Sequence, residues 1–213
     1  MSRLPLVPTL VVGLAVAIMI ALGVWQLERR DEKAAALGQY RANLSLPATA
    51  YPASNPADPT YLFRTVSAHC LRVTGWQTTG GHLPGGAPGW RHIASCATGA
   101  EGPGLLVDMG MSADPKAVPK WTGGTVRGTA TWEPDSSSML MRWLRKAPPL
   151  RLMIVAARPA EGFQLSPRPD PANVPNNHLA YAVQWFLFAA VAVVIYALAL
   201  RRRGRTGIPP SSN

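Results

Sequence analysis

The chain has 213 residues, 47% of them hydrophobic, with 21 Lys and Arg against 11 Asp and Glu for a net charge of +10. The apolar residues are concentrated in residues 4–27 and 179–200, two runs of 24 and 22 residues with no charge. That distribution excludes a simple cytosolic enzyme and, with only two such runs, a multi-span transporter; the roughly 150 residues between them suffice for one domain with a modest core.

A helix rises about 1.5 Å per residue, so each run reaches roughly 33–36 Å, enough to cross a bilayer core of about 30 Å. Residues 1–27 are expected to form an N-terminal transmembrane helix. The apolar run is longer than a signal-peptide core and no small-x-small site closes it, so it reads as an uncleaved signal-anchor. Pro5 and Pro8 fall in its first turns, where a missing N–H costs little. The basic residues Arg201, Arg202, Arg203 and Arg205 follow the second run, and Arg3 precedes the first. Both termini are therefore expected in the cytoplasm and residues 28–178 on the other side. The missing Arg- and Ser-rich transit peptide favours a bacterial inner (plasma) membrane over a mitochondrial one, with the central domain periplasmic.

Residues 28–178 hold all 11 acids and 16 of the 21 basic residues, a mild excess of +5. With no nucleic-acid motif and an exported location, nucleic acid is excluded as a partner, whereas the lipid bilayer is implied. The first helix is expected to continue to about Leu44, followed by a linker containing Pro47, Pro52, Pro56 and Pro59. Strands are expected at 61–66, 69–76, 90–97, 105–109, 125–133 and 150–157. The fifth alternates Val126, Gly128, Ala130 and Trp132 with Thr125, Arg127, Thr129 and Thr131, the period of a half-buried strand. Gly80-Gly81 and Gly85-Gly86 bracket an expected hairpin loop. Residues 139–146 read as a short helix stopped by Pro148-Pro149, and 159–175, with five prolines, as an extended return to the membrane. The fold class is thus an α+β membrane protein: two transmembrane helices, 1–27 and 179–200, flank a mostly β domain at 28–178, and residues 201–213 form a basic tail.

This domain offers little chemistry. It has no Gly-rich phosphate loop, no GxSxG elbow and no HExxH. His69, His82 and His92 read as solvated or hydrogen-bonded residues, Asp108 as a strand-end residue, and Met153 as packing. Cys70 and Cys96 lack CxxC or CxxCH spacing and are either one disulfide or two structural thiols.

The informative residues sit where the two spans are expected to leave the membrane. Asn176 or Asn177 can cap the second helix. At 100° per residue His178, Tyr181, Trp185 and Phe188 share one face. The first span presents Gly23, Trp25 and Gln26 at similar depth if the helices run antiparallel. Gln26 and Gln184 are polar groups inside apolar runs and need partners. Gly13, Ala17 and Ala21 form a small-residue face suited to close helix packing. Tyr and Trp favour membrane interfaces without any ligand. A neutral imidazole beside flat aromatic walls could equally bind haem iron axially, with Arg29, Arg30 and Arg168 near the propionates.

The two ends resemble the surfeit-locus (Surf/Shy) family of cytochrome c oxidase assembly proteins. Gly23-Val24-Trp25-Gln26-Leu27-Glu28-Arg29, with Lys33 one turn on, fits the family's G-x-W-Q-x-x-R pattern. Asn176-Asn177-His178-Leu179-Ala180-Tyr181-Ala182-Val183-Gln184-Trp185-Phe186 fits its N-N-H-x-x-Y-A-x-x-W-F pattern. The middle is looser: Leu106-Val107-Asp108-Met109-Gly110-Met111 lacks the Arg and Trp of an L-V-N-R-G-W-like strand. The resemblance implies a non-enzymatic assembly factor that binds haem a transiently and aids its insertion into oxidase subunit I, near haem A synthase. It implies His178 as the iron ligand and Trp25, Tyr181 and Trp185 against the macrocycle. Gln26 and Arg29 would meet the polar edge or the partner enzyme. Two other readings stand beside it. One is a scaffold that holds the oxidase or the synthase without binding haem; the other is a membrane-anchored periplasmic enzyme, for which no nucleophile–base pair is present.

Overall fold

A computed structural model describes residues 5–52, 54, 57–99, 104–135, 137–144 and 148–205, with the side chains of 204 and 205 left aside. The chain divides into two compact units, Met1–Ala36 with Pro175–Asn213, and Leu37–Val174. Helix α1 runs Leu6–Asn43 and helix α3 His178–Arg205, and both are long and apolar enough to cross a membrane. The expectation that the first helix outlasts the apolar run is met to within a residue.

The second unit is a seven-stranded mixed sheet: β1 Thr49–Ala50, β2 Thr65–Cys70, β3 Arg72–His82, β4 Pro88–Ala97, β5 Leu105–Ser112, β6 Gly124–Trp132 and β7 Leu152–Ala156. Its order is β1-β2-β6-β7-β5-β4-β3, parallel for β1/β2 and β5/β7 and antiparallel elsewhere. Strand β7 is buried at every residue, as its unbroken apolar run Leu152-Met153-Ile154-Val155-Ala156 requires of a central strand covered on both faces. The larger core lies on the face of Val66, Val107, Val126, Ala130 and Ile154; Ile93, Leu106, Met153 and Val155 form a smaller cluster on the other. The end of α1 belongs to the same unit. Tyr40 packs on Phe63 at 5.0 Å between ring centroids, and the buried Asn43 amide donates to the carbonyls of Thr60 and Leu62, both at 2.8 Å. Tyr51 ties β1 to the centre, its hydroxyl donating to the Leu152 carbonyl at 2.8 Å. Burial pushes that phenol up to about 12, so it remains a donor.

One residue, Leu71, joins β2 to β3, although these strands lie near opposite ends of the sheet order. A single linking residue spans only about 7 Å between flanking Cα atoms, so the sheet must curl until its edges meet there. The Leu71 N–H donates to the Ala97 carbonyl at 2.9 Å, and a Cys70–Cys96 disulfide fastens the junction across 26 positions. Of the two readings left open for the cysteines, the bonded one holds.

Several expected boundaries move. The strand expected at 61–66 begins at Thr65, because Asp58 caps a 3-10 turn at Pro59–Tyr61. The strand expected at 69–76 is divided at Leu71 between β2 and β3. Gly80 and Gly81 lie within β3, opposite Trp90 and Gly89; the turn uses Gly85 and Gly86, whose φ of +100° and +90° suit glycine. The short helix α2 spans Met139–Trp143, while residues 145 and 146 of the expected 139–146 helix lie outside the described residues. The segment after β7 does not simply run back: Gln164 exchanges backbone hydrogen bonds with Met111, both at 2.8 Å.

Asp108 is the clearest correction. It is not a strand-end residue but lies inside β5 with no solvent exposure. One carboxylate oxygen accepts from Ser166 Oγ at 2.7 Å and the Gly110 N–H at 3.0 Å. The other meets Arg91 Nε at 3.0 Å as an ion pair but receives no hydrogen bond. Burial therefore outweighs these partners and pushes the Asp108 carboxyl above its ordinary value. Nearby, His92 is buried, bonded to Ser112 Oγ at 2.9 Å and edge-on to Phe163, and burial lowers its pKa.

Two outcomes are expected. Replacing both cysteines by Ser lowers stability by about 3 kcal/mol in a denaturant titration of the full chain, the value for a loop of this length. An Asp whose pKa is raised on folding binds its proton more tightly in the native state. Stability therefore falls as pH rises from the unfolded value of 3.8 through the raised one. Asp108→Asn removes that component, so its stability profile is flatter than the parent's over this range.

Candidate functional site

The site is built from the two long helices of the first unit. The less exposed residues of α1 include Thr9, Val12, Val16, Met19, Gly23, Gln26 and Arg30; those of α3 include His178, Ala182, Trp185, Ala189, Ala192 and Tyr196. Both sets alternate steps of three and four, the spacing of a seam between two helices. The contacts run antiparallel: Thr9 with Tyr196, Gly23 with Phe186, Gln26 with His178, and Arg30 with Asn176. A Cβ on Gly23 would sit 2.5 Å from Phe186 Cε1, so only glycine admits the ring at this position without a shift. Ala182 and Ala189 are buried in the same seam. The expected small-residue face is not the one used: Gly13, Ala17 and Ala21 are exposed, and a Cβ on Gly13 would meet nothing within 4 Å.

Polar groups on the seam satisfy one another. Thr9 Oγ1 donates to the Pro5 carbonyl at 2.8 Å, which leaves its oxygen to pair with the Tyr196 hydroxyl at 2.5 Å. At the other end His178 Nδ1 lies 2.7 Å from Gln26 Oε1. A carbonyl oxygen has no proton to give, so Nδ1 carries the hydrogen and donates it. A neutral imidazole in this tautomer keeps the lone pair on Nε2. The Asn176 amide donates to the Arg30 carbonyl at 3.3 Å, while its own oxygen is buried without a hydrogen-bond partner among the described residues. The Asn177 carbonyl accepts the first-turn Tyr181 N–H at 3.3 Å.

The structure thus brings His178 and Gln26 into contact and sets Trp185 on the same α3 face as His178. Trp25 and Tyr181 are 47% and 52% exposed, so their rings stand on the surface of the helix pair. Trp185 and Phe188 meet edge to face at 6.1 Å. Arg29 pairs with Glu32 at 2.6 Å and lies 5.9 Å from the Trp25 ring centre; Arg30 pairs with Asp31 at 2.7 Å. Gln184 does not join the site. Six residues from His178, it falls on another face of α3 and is exposed. Arg168 belongs to the other unit. The Gly23–Phe186 fit and the Asn176–Arg30 bond were not read from the sequence, although both lie inside the two motifs. No group of three or more His, Cys, Asp or Glu suited to a metal ion occurs among the described residues.

A model of the SURF1 family matches residues 13–190, which include both helix-end motifs and the whole sheet. The chain belongs to the SURF1 family, which is associated with cytochrome c oxidase assembly. No curated protein matches it.

The Gly23 contact yields a test of the seam. Gly23→Leu is expected to slow oxidative cross-linking between Thr9→Cys and Tyr196→Cys about tenfold, the scale of an overpacking cost near 1.4 kcal/mol. Adding Phe186→Ala should restore the rate. No recovery would mean that the collision lies elsewhere.

Proposed function

We propose that this SURF1-family chain is a non-catalytic, two-span factor that holds haem a on His178 and aids its transfer to subunit I of cytochrome c oxidase, near haem A synthase. The observation that carries the reading is the His178–Gln26 hydrogen bond, because it leaves Nε2 as a free ligand atom at the end of the helix seam. Haem supplies an iron that takes an axial nitrogen ligand. The residues present fit such a cargo. Gln26 orients the imidazole and raises its basicity. Trp25 and Tyr181 offer exposed flat surfaces for an apolar plate, and Trp185 lies one helical step behind. Arg29, on the turn after Trp25, stands where a carboxylate edge would be met. One imidazole and half-open aromatic walls suit temporary retention better than two strong ligands inside a closed pocket.

In this reading the chain lies in the inner (plasma) membrane of a bacterium. The basic residues Arg201, Arg202 and Arg203 keep the C-terminus cytoplasmic, and Arg3 does the same for the N-terminus. The sheet unit is then periplasmic, where the Cys70–Cys96 disulfide is at home.

The test is the absorption spectrum of the purified protein made alongside a working haem A pathway. The parent should carry haem a, and His178→Ala should lose it or shift its bands. Gln26→Leu should keep the ligand type but weaken retention about 10- to 100-fold, the usual cost of removing the group that orients a ligating histidine. No pigment in the parent would favour a scaffold that holds the oxidase or the synthase without touching haem. Equal pigment in parent and His178→Ala would move the ligand elsewhere.

A further inference from the structure

The sheet unit carries two cavities that share a wall. The first, of about 690 Å³, opens between the start of β6, the end of β7 and the segment that follows; Met109, Trp121, Val126 and Ala160 give it an apolar wall. Lys120, Arg127 and Arg158 stand on it as cations, with Glu161 as the acid beside them. The second cavity, of about 270 Å³, also touches Arg127 and Ala157, and adds Val155, Leu165 and Arg168. Together the two are bordered by four cations and one acid.

None of Lys120, Arg127, Arg158 and Arg168 has an ion-pair partner among the described residues. Arg127 and Arg158 are also close neighbours along the sheet, since the Ala157 N–H donates to the Arg127 carbonyl at 2.9 Å. Both line the first cavity, so an anion there is met by two like charges that otherwise repel one another. We infer that these paired cavities bind an acidic, extended peptide segment of a partner protein, with apolar side chains in the two cavities and carboxylates on Lys120, Arg127, Arg158 and Arg168.

The two-part shape favours a peptide. A small anion would be held by the cations and leave both apolar walls uncovered. A lipid headgroup would likewise use only the exposed charges. The first cavity lies on the face of Val126 and the second on the face of Val155, with Arg127 lining both, so only a ligand several residues long reaches the two and still presents acids to the rim between them. Trp121 and the three arginines match the residue types that anchor protein interfaces, and the charge excess favours fast, salt-sensitive capture. This site is independent of whether His178 binds haem.

The test uses the full chain in detergent micelles and fluorescence anisotropy of a labelled peptide of alternating Glu and Leu. Binding should weaken with added salt, fall at least about tenfold when Gln replaces Glu in the peptide, and fall similarly in the Arg127→Glu/Arg158→Glu variant. Circular dichroism confirms that the variant is folded, and Arg72→Glu, an exposed charge outside both cavities, should bind as the parent does. The inference is overturned if the peptide does not bind, if the Gln peptide binds equally, or if the double variant keeps parental affinity. Displacement of the peptide by inorganic phosphate at equal concentration would also overturn it, in favour of a small-anion site. So would binding to anionic phosphatidylglycerol vesicles that the double variant loses while peptide affinity is unchanged.

Discussion

A polar side chain on a helix that faces lipid has no water to bond, so it must find its partner on a neighbouring helix. Gln26 and His178 meet that constraint together at 2.7 Å, as Thr9 and Tyr196 do at the far end of the same seam. The two pairs fix the register of the antiparallel helices, and the Gly23–Phe186 fit between them permits the close approach. The ligand geometry follows from this constraint. Because Gln26 accepts the Nδ1 hydrogen bond, the neutral ring carries its hydrogen there and its second nitrogen is left for other use. A seam closed by apolar residues alone would bring the helices together equally well without selecting a tautomer.

The sheet unit solves a different problem. Its sequence neighbours β2 and β3 lie near opposite ends of the strand order, so the sheet curls and the Cys70–Cys96 bond fastens the junction. Strand β7, buried throughout, lies beside β5, buried from Leu105 to Met111, and Asp108 is buried within β5. A carboxylate there needs several partners, and Ser166 supplies one from the segment that leads towards α3. The same segment pairs with β5 through Met111 and Gln164. Asp108 therefore holds a long, proline-rich return onto the sheet, at the cost of burying a charge that Arg91 and, to a lesser degree, His92 offset.

Much of this was legible in the sequence where the signal is local. The two long helices follow from uninterrupted apolar runs, and four strands (90–97, 105–109, 125–133 and 150–157) fall close to expectation because their hydrophobic patterns are short-range. The elements between Pro59 and Trp76 were misplaced because an Asp58 cap and a cross-sheet junction at Leu71 outrank β propensity there. Asp108 was misread because its burial depends on β7 pairing beside β5, a contact between residues about 45 positions apart. The site was partly legible: helical angles place His178 with Trp185, and the apolar setting of Gln26 demands a partner. The same rule applied to Gln184 misled, since a half-exposed helix pair leaves some polar groups outside its seam. Gly13, Ala17 and Ala21 misled for a related reason. Small-residue spacing recurs by chance in Ala-rich helices, and only the partner's bulky residues decide which face closes.

The central claim is that Gln26 selects the His178 tautomer with its hydrogen on Nδ1 and its lone pair on Nε2. The most direct measurement is the 15N spectrum of His178 in the selectively labelled, haem-free full chain, assigned by its loss in His178→Ala. The account predicts a protonated Nδ1, an unprotonated Nε2, and a shift towards mixed tautomers in Gln26→Leu. A proton on Nε2 in the parent, or a tautomer unaffected by Gln26→Leu, would contradict it.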